Sequence, residues 1–243
     1  KCGNTIPRPM WYMVMATRPF EYIHMDFIQL PEAANGCKYI LCITDDFSLT
    51  TVLHPTKNAD ADTVVRVMLE QYLPTYPDPD LIHSDGGTHF INKVVERITE
   101  ARGIKHTICT PYAKWAHGVA EANNKRTLTI LRTLCRKLGK SQDQWPEVVK
   151  LVQGAMQRQK RLSRGNRSPI ELTTGIKPKT AASMLYTDAG SLEILDDDAS
   201  QTLDETARKF AEQMEQLYDA VNRARRAVSK RNRKNTSSEA VPD

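Results

Sequence analysis

Residues 81–90 have the sequence LIHSDGGTHF, and the rest of the chain can be interpreted outward from them. Leu81–Ser84 form a short run typical of a strand, bounded by turn residues. Asp85 follows this run and precedes two glycines, a combination that is common in turns. Asp85 therefore either stabilises a turn or holds a carboxylate at a sheet edge, where a cation can bind it. Gly86 and Gly87 also predict a loose loop after the strand.

Three strands are predicted before this segment. Residues 21–30, EYIHMDFIQL, alternate apolar and polar side chains, which predicts the first strand. Asn35-Gly36 is a strong hairpin signal and leads into a second apolar strand over 38–44. A third strand, LTTVLHP, is expected to end at Pro55.

Helical and strand patterns alternate in the remainder of the domain. The spacing of apolar residues predicts helices over 59–73, 90–103, 118–138 and 143–158, and a further strand over 104–110. Three antiparallel strands followed by β-α-β-α-α predict an α/β domain with a mixed sheet and helices on both faces. The predicted organisation is a remnant at 1–14, a core at 15–178, an acidic linker at 179–202, a basic helix at 203–234 and a disordered tail at 235–243.

The basic helix has apolar residues at alternating gaps of four and three. These residues are Leu203, Ala207, Phe210, Met214, Leu217, Val221, Ala224 and Val228. The pattern suits a helix that packs on its own domain, a coiled coil between copies, or a docking site for a partner.

Composition excludes several classes of protein. The mean hydropathy is −0.51 and no run of about 18 apolar residues occurs, so no membrane-spanning helix is expected. Five cysteines lie at scattered positions without a CxxC pair, which argues against a zinc site in this chain. Residues 111–167 contain 13 basic and three acidic residues. That excess suits a polyanion, or alternatively the solvated faces of helices.

Three carboxylates stand in informative places. Asp26 lies in the middle of a predicted strand, where aspartate is disfavoured and needs exposure or a partner. Asp85 ends a strand, and Glu121 lies in the first turn of a predicted helix, where the helix dipole alone explains it. Close carboxylates repel unless a cation neutralises them. Oxygen ligands suit Mg²⁺ or Mn²⁺, and a pair of such ions is typical of phosphoryl-transfer sites.

The spacing of these acids carries a family resemblance. Between Asp85 and Glu121 lie 35 residues, and 58 residues separate Asp26 from Asp85. The segments IHMDFIQLP, LIHSDGGTHF, TPYAKWAHGVAEANNKRTL and SPIELTTGIKP follow one another in the chain. Together they resemble the catalytic core of retroviral and retrotransposon integrases, especially gypsy-type long-terminal-repeat elements. The resemblance covers roughly 15–178 and implies an RNase H-like fold with a five-stranded mixed sheet.

The resemblance also implies the roles of individual residues. Asp26, Asp85 and Glu121 would be the catalytic metal ligands, with Mg²⁺ or Mn²⁺, expected as two ions, as the cofactor. Asn124, Lys125 and Lys114 would contact DNA. For Lys125 the alternative is an ion pair with Glu121 one helical turn away.

Asp45 and Asp46 have no counterpart among the residues that the resemblance makes catalytic. They fall in the turn after the second predicted strand. We therefore expect both to be structural.

The implied function is that of a DNA integrase encoded in a retroelement polyprotein. It would process the 3′ ends of element DNA and transfer them into target DNA. The expected partners are both DNAs and further copies of the chain, with no membrane or small-molecule substrate. The expected place of action is the nucleus after assembly in cytoplasmic virus-like particles. The alternatives are an RNase H-like nuclease, or an integrase-derived host protein that binds DNA or protein without catalysis.

Overall fold

A computed structural model describes residues 15–87, 89–90, 92–108, 118–178 and 199–238. The strands are β1 (Tyr22–Gln29), β2 (Tyr39–Asp45), β3 (Thr51–Thr56), β4 (Leu81–Ser84) and β5 (Lys105–Ile108). The helices are α1 (Ala61–Val67), α2 (Lys93–Ala101), α3 (Gly118–Lys137), α4 (Trp145–Arg158), α5 (Pro169–Thr174) and α6 (Ala199–Ser238). No helix in these ranges combines the length and apolar character that crossing a membrane requires.

The strands form one five-stranded sheet in the order β3-β2-β1-β4-β5. β1 pairs antiparallel with β2, and β2 pairs antiparallel with β3. β4 lies parallel to β1 on its other side, and β5 lies parallel to β4. The predicted mixed sheet is confirmed, and β1 stands at its centre.

Helices cover both faces of this sheet, as predicted. On one face Ile23, Met25 and Ile82 pack with buried residues of α1 and α2. On the other face Ile28 and Cys42 belong to a core that includes buried residues of α3 and α4. Successive residues of a strand point to opposite faces, so Asp26 lies on the face that α3 covers.

The structure corrects the prediction that the third strand ends at Pro55. Pro55 pairs with Ile40, and β3 continues to Thr56. Proline lacks the N–H that a central strand needs, but β3 is an edge strand of the sheet, where that group is dispensable.

The long C-terminal helix packs on the sheet domain. Val221 is buried with Phe47 and Leu172, and Leu217 and Tyr218 pack against the same cluster. Over this part of α6 the heptad face therefore packs on the chain's own domain. This is the first of the three predicted alternatives. The helix also extends beyond the predicted 203–234 at both ends.

Gly175 gives α6 room to approach. A Cβ at this position would lie 2.8 Å from Met214 Sδ and 2.9 Å from Phe210 Cε2. Gly175 also has a positive φ of 73° at the end of α5, a conformation that favours glycine. The close approach of α6 and the positive φ both require glycine at this position, where α6 packs against the end of α5.

A buried ion pair fastens α6 to the turn after β2. Arg225 Nη2 donates to Asp46 Oδ2, and Arg225 Nη1 donates to the carbonyl of Ala16. His24 Nε2 lies 3.2 Å from Asp46 Oδ1. Burial acts against ionisation of Asp46, but the hydrogen bond with His24 and the charge of Arg225 outweigh it and hold its pKa below the usual range.

We predict that Asp46→Asn lowers the free energy of unfolding by about 3 kcal/mol, because removing one partner leaves the buried Arg225 charge uncompensated. Urea unfolding followed by circular dichroism measures this. Asp219→Asn is the matched control, since Asp219 is exposed on the same helix and should change stability by less than about 0.5 kcal/mol. Equal stability of the two variants would show that the ion pair does not hold α6 in place.

Candidate active site

The parallel pairing of β1 with β4 brings two of the predicted acids together. Met25 is paired with Ser84 in this register. Asp26 follows Met25 within β1, and Asp85 follows Ser84 directly after the end of β4. Neighbouring strands lie about 4.8 Å apart, so the two aspartates occupy adjoining positions where β4 ends.

The Asp26 carboxylate is half-buried and accepts a hydrogen bond on each of its oxygens. Its Oδ1 accepts from the backbone N–H of Phe27 at 2.8 Å. Its Oδ2 accepts from Asn124 Nδ2 of α3 at 2.6 Å. The amide of Asn124, which was predicted to contact DNA, thus touches a predicted metal ligand in this structure. Its contact with DNA stays a prediction.

The turn after Asp85 is closed by several contacts. Asp85 Oδ1 accepts from the N–H of Gly87 at 3.0 Å and lies 3.6 Å from His89 Nε2. The carbonyl of Gly87 accepts from the N–H of Phe90 at 2.9 Å. The His89 ring packs edge-on against Phe90 and Phe27. Among the described residues of this turn, glycine therefore permits a close approach to the His89 ring. The looseness expected for the loop stays a prediction.

Glu121 lies on α3, one helical turn before Asn124. It occupies the first turn of the helix and is exposed. Residues three apart share a helix face, so Glu121 stands on the same side of α3 as Asn124, which contacts Asp26. Lys125, the residue after Asn124, is exposed.

The three carboxylates do not close into one ligand set. Within the ranges that the structure describes, no group of three or more His, Cys, Asp or Glu side chains is placed to hold a metal ion. The chemistry of the donors nevertheless fits Mg²⁺ or Mn²⁺, because Asp26, Asp85 and Glu121 offer oxygen atoms alone.

A second asparagine, which the sequence did not single out, fixes α3 on the sheet. Asn123 is buried, and its Nδ2 donates to Thr51 Oγ1 at 2.8 Å and to Thr44 Oγ1 at 3.0 Å. A buried amide without partners would destabilise the fold, so these bonds restrain how the helix sits over β2 and β3. They thereby set where Glu121 and Asn124 lie. The only signal in the sequence was two adjacent asparagines inside an otherwise helical segment.

The remaining predicted residues have different outcomes. Lys114 lies in 109–117, outside the described residues. Asp45 is structural, as expected, since it accepts hydrogen bonds from the backbone of Phe20 and from Ser48. Burial raises the pKa of Asp45 to about 6, although these hydrogen bonds act in the opposite direction. Asp46 is structural through its pairing with Arg225.

Comparison with known families agrees with this architecture. Residues 16–114 match the integrase core domain family. The chain contains an integrase core domain. The match includes Asp26 and Asp85 and ends before Glu121. The predicted resemblance to retroviral and retrotransposon integrases is confirmed for this core.

Curated relatives of this integrase core are retroviral polyproteins. The Gag-Pol polyprotein of Walleye dermal sarcoma virus is 30% identical over 171 residues, which cover 68% of this chain and 9% of that polyprotein. The Gag-Pol polyprotein of Avian reticuloendotheliosis virus is 26% identical over 165 residues, covering 68% of this chain and 14% of that polyprotein. The chain thus spans a small part of the relatives it matches.

Solved structures show the same fold at low sequence identity. The catalytic core domain of BIV integrase aligns with a TM-score of 0.52 and 18% identity, over 69% of this chain and 99% of that chain. A chain of the simian T-cell lymphotropic virus intasome, in complex with PP2A regulatory subunit B56 gamma, aligns with a TM-score of 0.58 and 14% identity. The alignment covers 75% of this chain and 62% of the intasome chain. The RNase H-like fold of the integrase core is confirmed.

We predict that Gly87→Ala disturbs the turn, whereas Gly86→Ala does not. A Cβ at Gly87 would lie 2.3 Å from His89 Cε1 and 3.0 Å from Asp85 Oδ1, so the ring must move. A Cβ at Gly86 would meet only Ile108 Cγ2, at 3.8 Å. Overpacking should lower the free energy of unfolding of Gly87→Ala by about 1–3 kcal/mol.

Thermal unfolding of both variants measures this difference, and the NMR signals of the His89 ring report its displacement. Gly86→Ala should stay within about 0.5 kcal/mol of the unaltered chain. Equal stability of both variants, with an unshifted His89 signal, would contradict the close approach at Gly87.

Proposed function

We propose that this integrase core is a metal-dependent polynucleotidyl transferase that processes the 3′ ends of element DNA and joins them to target DNA. The observation that carries the proposal is the adjoining placement of Asp26, in β1, and Asp85, directly after the parallel strand β4. The match of residues 16–114 to the integrase core domain supports it.

The proposed ligands of the cation are Asp26, Asp85 and Glu121. When bound, Mg²⁺ or Mn²⁺ would activate an attacking oxygen and stabilise a leaving oxygen at phosphorus. Asn124 orients one oxygen of Asp26 through its amide, and the N–H of Gly87 does the same for Asp85. These hydrogen bonds hold each carboxylate in one orientation, which lowers the cost of arranging the site.

DNA is the proposed substrate of this site. Basic residues outnumber acidic ones by 13 to three over 111–167, a segment that includes α3, whose Asn124 contacts Asp26. Contacts through phosphates would make binding dependent on salt and only weakly dependent on sequence. Asn124 and Lys125 on α3 and Lys114 before it are the proposed contacts with DNA.

The wider setting is proposed from the relatives. We propose that the chain acts as part of a multimer on element ends and target DNA, as a piece of a retroelement polyprotein that works in the nucleus. We also propose a core over 15–178, with the acidic linker ending where α6 begins at Ala199 rather than at the expected residue 202.

The test is joining of a labelled blunt DNA duplex to a second DNA in the presence of Mg²⁺ or Mn²⁺. Asp85→Asn should lower the rate of joining by about 100-fold or more, because the charge that holds the cation is lost. Asp62→Asn is the matched control, since Asp62 is an exposed acid on α1, and it should join DNA at the unaltered rate.

Binding of the same DNA keeps the test decisive. We expect Asp85→Asn to retain DNA binding while losing joining. The proposal fails if the unaltered chain binds DNA but joins none under either metal. That outcome would instead support a protein that binds DNA without catalysis, and cleavage of an RNA–DNA hybrid in its place would support a nuclease.

A further inference from the structure

A basic cleft lies on the side of α3 next to the candidate active site. Its volume is about 670 Å³, within the range of ligand sites. One wall is α3, including Asn123 and Arg126, and the other is the loop after α4, including Lys160 and Arg161. Asn123 is adjacent in sequence to Asn124, which contacts Asp26. The cleft and the candidate site therefore lie on neighbouring faces of α3, at the same level along the helix.

Arg161 is the unusual group in this cleft. Only 7% of its surface is exposed. Its Nε and Nη2 atoms are buried and have no hydrogen-bond partner within the part of the chain that the structure describes. A buried guanidinium without an anion is costly. The guanidinium of Arg161 lies at the wall of a cleft, so an anionic ligand bound there could compensate its charge.

The backbone holds Arg161 in a fixed loop. The N–H of Arg161 donates to the carbonyl of Arg167 at 2.9 Å, and its carbonyl accepts from the N–H of Asn166 at 2.9 Å. Gly165 and Asn166 between them have positive φ values of 66° and 61°. The loop is anchored to the domain by Arg164, whose Nη2 donates to the carbonyl of Asp46 at 2.7 Å. Arg161 is thus held in place before any ligand arrives.

The charges around the cleft have one sign. No acidic residue is among the described residues that line it, whereas Arg126, Lys160, Arg161 and Arg164 are. Arg126 Nε donates to Gln159 Oε1 at 3.2 Å, so its contact there is with a neutral group. Burial, with the charge of Arg126 nearby, lowers the pKa of Arg161 to about 10, which leaves it protonated at neutral pH.

We propose that this cleft binds a phosphodiester group of DNA, held by Arg161 and Arg126 with Lys160 at the rim. Guanidinium groups pair with phosphate oxygens through two parallel hydrogen bonds. A polymer that carries a phosphate on each unit can occupy the cleft and continue along α3, whereas a free phosphate would fill only the cleft. This inference rests on the proposed function for its choice of DNA as the source of the phosphate.

The test is binding of a short labelled DNA duplex to the full chain, measured by fluorescence anisotropy over a series of salt concentrations. The buffer contains EDTA, so that the carboxylate site plays no part. Arg161→Gln and Arg126→Gln each remove one cleft charge. Arg132→Gln is the matched control, because Arg132 is exposed on α3 and does not line the cleft.

We expect each cleft variant to bind DNA about 3–10-fold more weakly than the control at 0.1 M salt, with the salt slope reduced by about one. Cleft variants that match Arg132→Gln in both affinity and slope would overturn the proposal. Should Arg161→Gln lose its cooperative thermal transition, Arg126→Gln combined with Lys160→Gln provides the same comparison, since Lys160 is exposed.

Inorganic phosphate distinguishes the two sources of the anion. A phosphodiester site would be supported if millimolar phosphate competes with DNA for the unaltered chain and if this competition is lost in Arg161→Gln. Saturable phosphate binding that Arg161→Gln abolishes, with DNA affinity unchanged, would overturn the assignment to DNA and leave a free phosphate as the ligand.

The cleft and the catalytic proposal fail separately. Loss of DNA affinity in the cleft variants of a chain that joins no DNA would support the cleft and refute the proposed catalysis. Unchanged affinity in a chain that does join DNA would refute the cleft alone.

Discussion

The parallel register between β1 and β4 is the constraint on which the candidate site depends. Because Met25 pairs with Ser84, the following residues Asp26 and Asp85 are side by side. A shift of one residue would turn Asp85 to the opposite face of the sheet, since side chains alternate along a strand. The buried residues Ile23 and Ile82, which pair in the same register, belong to the core under α1 and α2. Burial of that core and placement of the two carboxylates are therefore fixed by the same pairing.

The second requirement is the position of α3, which hydrogen bonds and packing determine. Asn123 ties the start of the helix to Thr44 and Thr51, and Leu131 is buried in the core two turns further on. Asn124 then reaches Asp26 from the adjoining face of the helix. The same stretch of α3 forms a wall of the basic cleft. One face of the helix therefore borders the candidate carboxylate site, and the neighbouring face borders the cationic side chains of the cleft.

Much of this arrangement was accessible from the sequence. Hydrophobic periodicity and turn residues located the five strands and the longer helices of the core. The count between Asp85 and Glu121 directed attention to the end of the sheet where Asp26 and Asp85 adjoin. The end of β3 was missed because tolerance of Pro55 depends on β3 being an edge strand, which local sequence does not record. The tight turn at Gly87 depends on where the His89 ring packs, and Arg161 is informative only through its burial. Long-range packing decides all three.

The most direct test of the account is the location of Mn²⁺ in crystals of the chain, found from its anomalous scattering. The account predicts a peak within bonding distance of oxygens of both Asp26 and Asp85, with Glu121 turned toward it. Replacement of Asp85 by asparagine should remove the peak while the fold stays unchanged. Mn²⁺ bound elsewhere, with these two aspartates free of metal at saturating concentration, would contradict the account.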